Sequence, residues 1–390
     1  MVSGKGAEKQ GVFAKSGKSV ERKKFIIATF TLIGAVIGAG ILGLPYVFAK
    51  SGFTIGIFWL VVLGLILTYC KLCFGEVTLR TKKRHQLTGY AEKYLGKIGK
   101  NFAIFSMFFG IYSALLAYLI AEGESLSLLF TQGKDYAIIF GIGFWFLLTA
   151  LLQDGLRGLK KVESRGVLIV ILIIFGLFLW FLPGVKLTNL SFIEPRFFFI
   201  PLGVTLFALL GFTAIPELRI EVQGAEKVLK KSILYGSLVP VLLYALFSLT
   251  FVGVFGKEVS EVATLSAGGI AIALGIFTMF TCYFILSFAL RDMIIYDLQR
   301  FKKYRFLLVS LIPLLIYIAV NLFNLADFVV VLGIGGIVSG TITGSLVLLM
   351  NLKAKILGDR KPEYSMPISK GIIAILILIF VFGLVVELFF

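Results

Sequence analysis

Long apolar stretches separated by short polar connections make up most of the chain. Eleven of these stretches reach the roughly 20 residues that an α-helix needs to cross a hydrocarbon core. They lie at about 24–49, 52–79, 101–124, 135–153, 165–183, 198–219, 231–255, 267–298, 305–322, 328–350 and 370–390. The pattern predicts an all-α integral membrane protein with eleven transmembrane helices, which we number span 1 to span 11 along the chain.

Composition agrees with this class. The 390 residues are 59% hydrophobic and 15% charged, with a mean hydropathy of +1.00, whereas a soluble domain carries about 25% charged residues. In a soluble protein, the formal net charge of +17 would suggest nucleic-acid binding. Here the basic residues lie between the apolar stretches and form no basic face with interleaved aromatic residues, so we expect no nucleic-acid partner.

The basic residues are concentrated in alternate connections. The N-terminal tail and the connections after spans 2, 4, 6, 8 and 10 are rich in lysine and arginine. The opposite connections contain only Lys50, Lys134, Lys186, Arg196 and Lys257. Because positively charged loops stay in the cytoplasm, we predict a multi-pass protein of the cell membrane with a cytoplasmic N-terminus. An odd number of spans then places Phe390 outside.

Span 1 contains a run that is poorly suited to the interior of a helix. The residues from Gly34 to Pro45 include four glycines and a proline, and both residue types weaken helices. Inside a membrane, backbone groups that a break sets free must face protein, water or a ligand. The run therefore predicts a binding site built from main-chain atoms. The alternative is that the glycines serve helix packing or a kink.

Span 6 has a similar interruption, with Gly211 near its middle and Pro216 a turn further on. It follows span 1 by five spans and therefore runs in the opposite direction. Interrupted helices at matching places in two halves of opposite orientation are typical of inverted-repeat transporters. We predict that spans 1–5 and spans 6–10 are two inverted five-helix repeats, with span 11 outside the symmetry.

This arrangement divides the chain into six parts. They are a disordered cytoplasmic tail (1–22), the first repeat (23–183), an external loop (184–197), the second repeat (198–350), a cytoplasmic loop (351–369) and an additional transmembrane helix (370–390). The high glycine, serine and lysine content of the tail is typical of disordered segments. No signal-peptide core follows its first basic residues at the usual distance, so we expect no cleavage.

Two motifs resemble those of a known family. The run from Ile37 to Pro45 (IGAGILGLP) resembles the first-helix motif of the amino acid/auxin permease family, and the run from Gly211 to Leu218 (GFTAIPEL) resembles its sixth-helix motif. The family belongs to the amino acid–polyamine–organocation superfamily, and the chain is also similar to hydroxy and aromatic amino acid permeases. The resemblance implies a 5+5 inverted-repeat, leucine-transporter-like core with discontinuous helices in spans 1 and 6.

The resemblance also implies where an amino acid substrate binds. The candidate residues are Ile37, Gly38, Ala39, Gly40, Ile41, Phe207, Leu210 and Gly211. The amides of residues 38–40 would bind the substrate carboxylate, which suits the positive N-terminal end of a half-helix that starts near Ile41. The carbonyls of Ile37, Phe207 and Leu210 would bind the ammonium group. Phe207 is either an aromatic gate over the ligand or an ordinary core aromatic.

A site for a coupling cation follows from the same resemblance, which implies sodium between carbonyls of span 1 and hydroxyls of span 8. Gly34 and Ile37 could supply the carbonyls, and the hydroxyls of Thr278 and Thr281 can share one helix face. The alternative is that these threonines bond their own helix backbone. No histidine or carboxylate lies mid-span in spans 1, 5 or 8 before Asp292. This favours sodium, while proton coupling stays open.

Other polar positions inside the spans are further candidates. Lys71 is expected either to pair with Glu76 or to extend its charge to the inner interface. Glu122 and Glu124, at the outer end of span 3, either line an entrance or are solvated there. Tyr118 on span 3 is a candidate to face the site.

The sequence gives no support to enzyme chemistry. Cys70 and Cys73 form a CxxC without a second pair, and His85 is the only histidine. There is no Walker motif, so ATP is not the energy source. We therefore predict a secondary active transporter that moves neutral amino acids by alternating access, driven by Na⁺ or H⁺. We expect no cofactor, no other metal and no obligatory protein partner besides the lipid bilayer. The alternative is a membrane-embedded amino acid sensor with the same site.

Overall fold

The computed structural model describes residues 4–153 and 159–389, and within these ranges it contains helices and no strands. The α-helices are α1 (Gly4–Val36), α2 (Gly40–Ser51), α3 (Phe53–Arg80), α4 (Leu87–Thr131), α5 (Ala137–Gln153), α6 (Leu159–Phe181), α7 (Leu187–Leu190), α8 (Pro201–Ala208), α9 (Ile215–Glu221), α10 (Leu229–Phe255), α11 (Gly269–Asp292), α12 (Ile312–Leu322), α13 (Phe328–Leu357) and α14 (Lys370–Phe389). Short 3₁₀ and π turns occupy several of the connections.

Most of the predicted spans have the length and composition of a membrane crossing. In the described ranges, eight helices or joined helices qualify, and a bent pair, Ser19–Val36 with Gly40–Ser51, makes a ninth. Two further apolar helices, Ala137–Leu152 and Leu307–Leu322, fall in predicted spans 4 and 9 but are shorter. The all-helical membrane architecture is therefore confirmed, and membrane crossing by those two shorter helices stays a prediction.

The helices of spans 1 and 6 are interrupted where the sequence predicts. In span 1, α1 ends at Val36 and α2 begins at Gly40, with a bend of 55° between them; we name residues 37–39 the first break. In span 6, α8 ends at Ala208 and α9 begins at Ile215; we name residues 209–214 the second break. Gly211 in the second break has a φ of +105°, a left-handed conformation that favours glycine.

Helix α13 lies at the centre of the packing and contacts α3, α4, α8 and α14. Its glycines allow close approach. A Cβ atom at Gly336 would lie 2.3 Å from the carbonyl oxygen of Gly203 on α8, and one at Gly344 would lie 2.7 Å from the Phe380 ring on α14. Because α13 is pressed directly onto α8, it fixes the position of the second break from one side.

The ends of the chain and one connection concern other predictions. Helix α1 begins at Gly4, inside the segment 1–22 that is predicted to be a disordered tail, and the mobility of that tail stays a prediction. Residues 1–3 of the tail, Arg157 in the basic connection after span 4, and Phe390 lie outside the described residues. The positions of the predicted cytoplasmic and external sides also stay predictions.

Candidate functional site

The two breaks lie against each other. A Cβ atom at Gly40 would lie 2.4 Å from the Cα and 2.6 Å from the Cβ of Ala208, where α8 ends. A Cβ atom at Gly211 would lie 2.6 Å from Cγ2 of Val36, where α1 ends. At Gly40 a larger residue would force two backbones apart, so glycine is required for that contact, whereas at Gly211 a larger residue would meet the Val36 side chain. The main chains of the two interrupted spans thus form one continuous region.

The first break leaves amide groups available. The Ile37 amide donates to the Ile33 carbonyl over 2.9 Å, and the Ala39 amide lies 3.4 Å from the Tyr118 hydroxyl. For the amides of Gly38 and Gly40, no acceptor is found among residues 4–153 and 159–389. These amides stand at the N-terminal end of α2, where the helix dipole is positive. The arrangement is suited to an anionic group.

The second break is closed in part by its own hydrogen bonds. The Leu209 amide donates to the Thr205 carbonyl over 3.1 Å, and the Leu210 amide donates to the Phe207 carbonyl over 3.2 Å. One of the carbonyls predicted to bind an ammonium group, that of Phe207, therefore already has a donor. The carbonyl of Leu210 has no donor within the described part of the chain.

Tyr244 on α10 connects the two breaks. Its hydroxyl lies 2.8 Å from the Val36 carbonyl and 3.0 Å from the Ala208 carbonyl, and its side chain is fully buried. A phenol has a single proton to donate, so the two carbonyls compete for it. Sequence reasoning missed this residue because Tyr244 is one of several polar side chains in span 7, and nothing in the pattern distinguishes it from Tyr235 on the same span. The available signal is that a buried tyrosine hydroxyl usually finds a hydrogen-bond partner.

The candidate cation hydroxyls donate their protons within their own helix. Thr278 donates its hydroxyl to the Leu274 carbonyl over 2.9 Å, and Thr281 donates to the Thr278 carbonyl over 2.8 Å. The alternative in which these threonines bond their own helix is therefore the observed one. The Ile37 carbonyl faces α11, where it accepts from the Cys282 thiol over 3.3 Å.

The fourth candidate for the cation, Gly34, packs against α6. A Cβ atom there would meet Cγ2 of Val167 on α6 at 2.4 Å. The structure thus brings together Ile37 and Cys282, a residue that sequence reasoning had not assigned. A sodium site formed by the four predicted residues stays a prediction.

The side chains of the candidate site pack around the two breaks. Phe207 is half-buried, with its ring edge 3.6 Å from the Cβ position of Gly335 on α13. Leu210 lies 3.5 Å from the corresponding position of Gly340. Ile41 lines a small apolar cavity together with Thr278. A gating role for Phe207 stays a prediction.

Tyr118 on α4 faces the first break, as its sequence position suggested. Besides its contact with Ala39, its hydroxyl would lie 2.7 Å from a Cβ atom at Gly38. Its ring stands 6.5 Å, centre to centre, from that of Tyr283 on α11. The first break is therefore enclosed by α4 on one side and by α11 on another.

Lys71 does not behave as expected. Glu76 pairs with Arg80 at 2.7 Å and accepts from Asn351 and from the amide of Met366. No ion pair joins Glu76 to Lys71 among the described residues. Because five residues separate them, the two side chains leave α3 in different directions. Lys71 is 1% exposed, so it does not extend to the interface either.

Glu122 also departs from expectation. Its side chain is 0% exposed, and neither carboxyl oxygen has a hydrogen-bond partner within the described residues. The expectation that it is solvated at the outer end of span 3 is therefore wrong. Glu124, two residues further on, is partly exposed and forms an ion pair with Lys134 at 2.6 Å. Helix geometry explains the difference, since residues two apart point to different faces.

Comparison with known proteins places the chain among amino acid permeases. A model of the tryptophan/tyrosine permease family matches residues 21–389. The chain is 28% identical over 253 residues to "Tyrosine-specific transport system 1" of Haemophilus influenzae, which covers 62% of each chain. It is 24% identical over 263 residues to "Amino acid transporter AVT1H" of Arabidopsis thaliana, which covers 63% of this chain and 59% of that protein.

A third relative is "Glutamine transporter 2" of Aliivibrio fischeri, which is 22% identical over 250 residues, with 62% of this chain and 64% of that protein covered. The matches to all three relatives thus cover less than two thirds of the relative's length. The family match is much longer and includes both breaks. The resemblance that the two short motifs predicted is therefore confirmed.

Proposed function

Because the chain belongs to the tryptophan/tyrosine permease family, we propose that it is a secondary active transporter, not an enzyme, for aromatic and other neutral amino acids. The printed functions of the relatives, tyrosine transport in one and glutamine transport in another, support a neutral amino acid as the class of substrate. Aromatic amino acids are the first to test, because the family and the tyrosine-specific relative both bear that description.

The observation that carries the proposal is the contact between the two breaks. A zwitterionic amino acid needs a positive end of the site for its carboxylate and a group of acceptors for its ammonium. The amides of residues 38–40 at the start of α2 provide the first, and the unpaired Leu210 carbonyl across the contact provides an acceptor for the second. Ile37 and Phe207 contribute carbonyls when their present donors, Cys282 and the Leu210 amide, give way.

The substrate side chain would extend into apolar surroundings. Phe207 from the end of α8, Leu210 from the second break and Ile41 from α2 line the region. A pocket of this composition favours a hydrophobic or aromatic side chain and disfavours a charged one, because an unpaired charge would be desolvated there. Specificity for tyrosine over phenylalanine would need a polar partner for the hydroxyl.

Transport would proceed by alternating access across a membrane that the chain crosses eleven times. In this proposal spans 1–5 and 6–10 form the two inverted repeats, α14 is the additional helix, the N-terminus is cytoplasmic and the C-terminus external. The alternation of basic connections supports the orientation. A cation gradient would drive accumulation. The bonding of Thr278 and Thr281 within α11 gives no support to a preformed sodium site.

Counterflow in proteoliposomes tests the proposal. Vesicles containing the purified full chain are loaded with unlabelled tyrosine, tryptophan, glutamine or lysine and diluted into labelled tyrosine. We expect entry of label with internal tyrosine or tryptophan, weaker entry with glutamine, and none with lysine or in protein-free vesicles. The absence of counterflow for every amino acid, with protein correctly inserted, would refute transport. Uptake under separate sodium and proton gradients then tests the coupling cation.

A further inference from the structure

One carboxyl group on span 3 has no partner among the described residues. Both oxygens of Glu122 on α4 are buried and unpaired within the described residues, and the side chain is 0% exposed. Structural carboxylates in protein interiors are almost always paired or hydrogen-bonded, because desolvation of an isolated carboxylate costs several kcal/mol. Surroundings of this kind favour the neutral, protonated form of a carboxyl group. An intramembrane group that is expensive to retain is a candidate for function.

The position of Glu122 connects it to the candidate site. It follows Tyr118 by four residues and so lies one helical turn along the same face of α4. The Tyr118 hydroxyl contacts the first break at Ala39. A change in the position of α4 relative to the break would thus move both side chains together.

The groups around Glu122 are neutral. Helix α4 packs against α5, α11, α12 and α13. The titratable side chains that these helices present to the middle and outer part of α4 are Cys282 and Tyr283 on α11 and Tyr317 on α12. The described residues of α5 include no titratable group, and the charged residues of α11 and α13 lie at the opposite ends of those helices. Where they are described, these helices therefore place no cation beside Glu122, and Lys134 in the outer connection is paired with Glu124.

Two other polar atoms on the facing surfaces of α4 and α11 are also unpaired. The hydroxyl of Ser125, one turn beyond Glu122, and the hydroxyl of Tyr283 are buried without a partner among the described residues. The Tyr283 ring contacts that of Tyr118. Helices α4 and α11, which meet at Tyr118 and Tyr283, thus carry several buried polar atoms that ordinary packing would not leave unmatched.

We infer that Glu122 is the site at which the protein binds and releases a coupling proton during the transport cycle. In the enclosed state the carboxyl holds the proton. When α4 and α11 separate toward one side of the membrane, water reaches the carboxyl and accepts the proton, and the carboxylate is then stabilised by hydration. Return to the enclosed state requires a new proton. This role rests on the proposed transport function and gives that function its coupling ion.

The test compares Glu122→Gln with Glu124→Gln in sodium-free proteoliposomes. Gln keeps the size of the side chain but cannot bind or release a proton. For Glu122→Gln, accumulation of labelled tyrosine under an acid-outside pH gradient should fall by at least about tenfold. Counterflow, which needs no net proton movement, should stay within about threefold of the wild type and lose its dependence on pH. Glu124→Gln, which removes an exposed ion pair, should leave both measurements unchanged.

The outcomes separate this inference from the proposed function. Wild-type protein without counterflow refutes transport itself. Two results would overturn the assignment of Glu122 while leaving transport in place, provided that the wild type shows counterflow. One is normal pH-driven accumulation by Glu122→Gln, and the other is the absence of pH-driven accumulation by the wild type. If Glu122→Gln loses counterflow as well, the variant Glu122→Asp is used to test the assignment of Glu122. It retains a titratable carboxyl, so recovered pH-driven accumulation supports the inference, and its absence in correctly inserted protein contradicts it.

Discussion

The first and second breaks interrupt their helices by different means. The first break has no positive φ angle; its chain turns by 55° and leaves two amides without acceptors in the described residues. The second break uses a left-handed Gly211 and closes half of its amides, those of Leu209, Leu210 and Ala214, in local turns. The first break is lined by the side chains of Tyr118 and Cys282, whereas the second is closed in part by its own backbone hydrogen bonds.

The difference shows that glycine serves two purposes in one site. In the first break, glycine provides space, because Gly40 abuts the backbone of Ala208 and Gly38 abuts the Tyr118 hydroxyl. In the second break, Gly211 provides a backbone conformation that other residues rarely adopt. The first break, whose free amides stand at the positive N-terminal end of α2, is the better candidate for binding an anionic group, and the second break packs against it.

The largest effect is expected where glycine provides space. Gly40→Val places side-chain atoms within the volume of the Ala208 backbone, which cannot move aside as a flexible side chain would. We expect counterflow of tyrosine to fall by at least about a hundredfold. Gly143→Val on α5, where a Cβ meets nothing within 4 Å, is the matched control and should transport normally. Normal counterflow by Gly40→Val would remove the first break from the site.

A smaller effect is expected where glycine provides conformation. Gly211→Ala at φ +105° should reduce counterflow by about tenfold, since a left-handed L-residue costs about 1–2 kcal/mol. The new methyl also meets Val36 at 2.6 Å. Combining Gly211→Ala with Val36→Ala removes that clash and leaves the strain, so the double variant should recover little. Full recovery would show that space, rather than conformation, requires glycine in the second break too.

Removing the Tyr244 hydroxyl, which links the two breaks, should have a moderate effect on transport. Tyr244→Phe removes the hydroxyl shared by the carbonyls of Val36 and Ala208, and a buried acceptor without its donor costs about 1–3 kcal/mol. We expect the tyrosine concentration for half-maximal uptake to rise by about three- to tenfold, with the maximal rate less affected. Tyr235→Phe on the same helix, at an exposed position, is the control. Equal effects of the two substitutions would deny Tyr244 a role in positioning the breaks.

The smallest effect concerns the helix that supports the second break. Glu261 accepts from the Val329 amide at the start of α13 over 3.3 Å. Burial, together with the nearby charges of Asp327 and Glu124, raises the pKa of Glu261. The folded protein therefore holds this proton to higher pH than the unfolded chain, so its stabilising contribution is present below about pH 4.3 and is lost as pH rises through the raised value.

Thermal unfolding of the detergent-solubilised protein measures this contribution. The melting temperature of the wild type should fall by no more than a few degrees across that pH range, and Glu261→Gln should flatten this part of the profile. Glu258→Gln, at an exposed position in the same connection, should not change it. A steeper profile for Glu261→Gln would contradict the sign. The result also separates the effect of pH on stability from its effect on transport through Glu122.

Much of the fold could be predicted because a membrane restricts the choices. Every spanning segment must satisfy its backbone internally, so long apolar runs identify helices, and glycine with proline inside such a run indicates a break. The break at Ile37 to Ala39 and the break at Gly211 were found in this way. The glycine runs do not reveal which amides remain unpaired. The Leu210 amide donates to the Phe207 carbonyl, whereas the Gly38 amide has no acceptor in the described residues, and only the folded structure shows this difference.

The sequence by itself determined the membrane class, the location of both breaks and the family, since these depend on hydrophobic length, local backbone preference and short motifs. Only the tertiary structure decided which side chains contact the breaks. Tyr244, Cys282 and Glu122 lie on three helices that the chain pattern does not distinguish from their neighbours. Whether a polar group on these helices finds a hydrogen-bond partner depends on residues that are far away in the sequence, and local backbone preferences do not determine which distant residues come into contact.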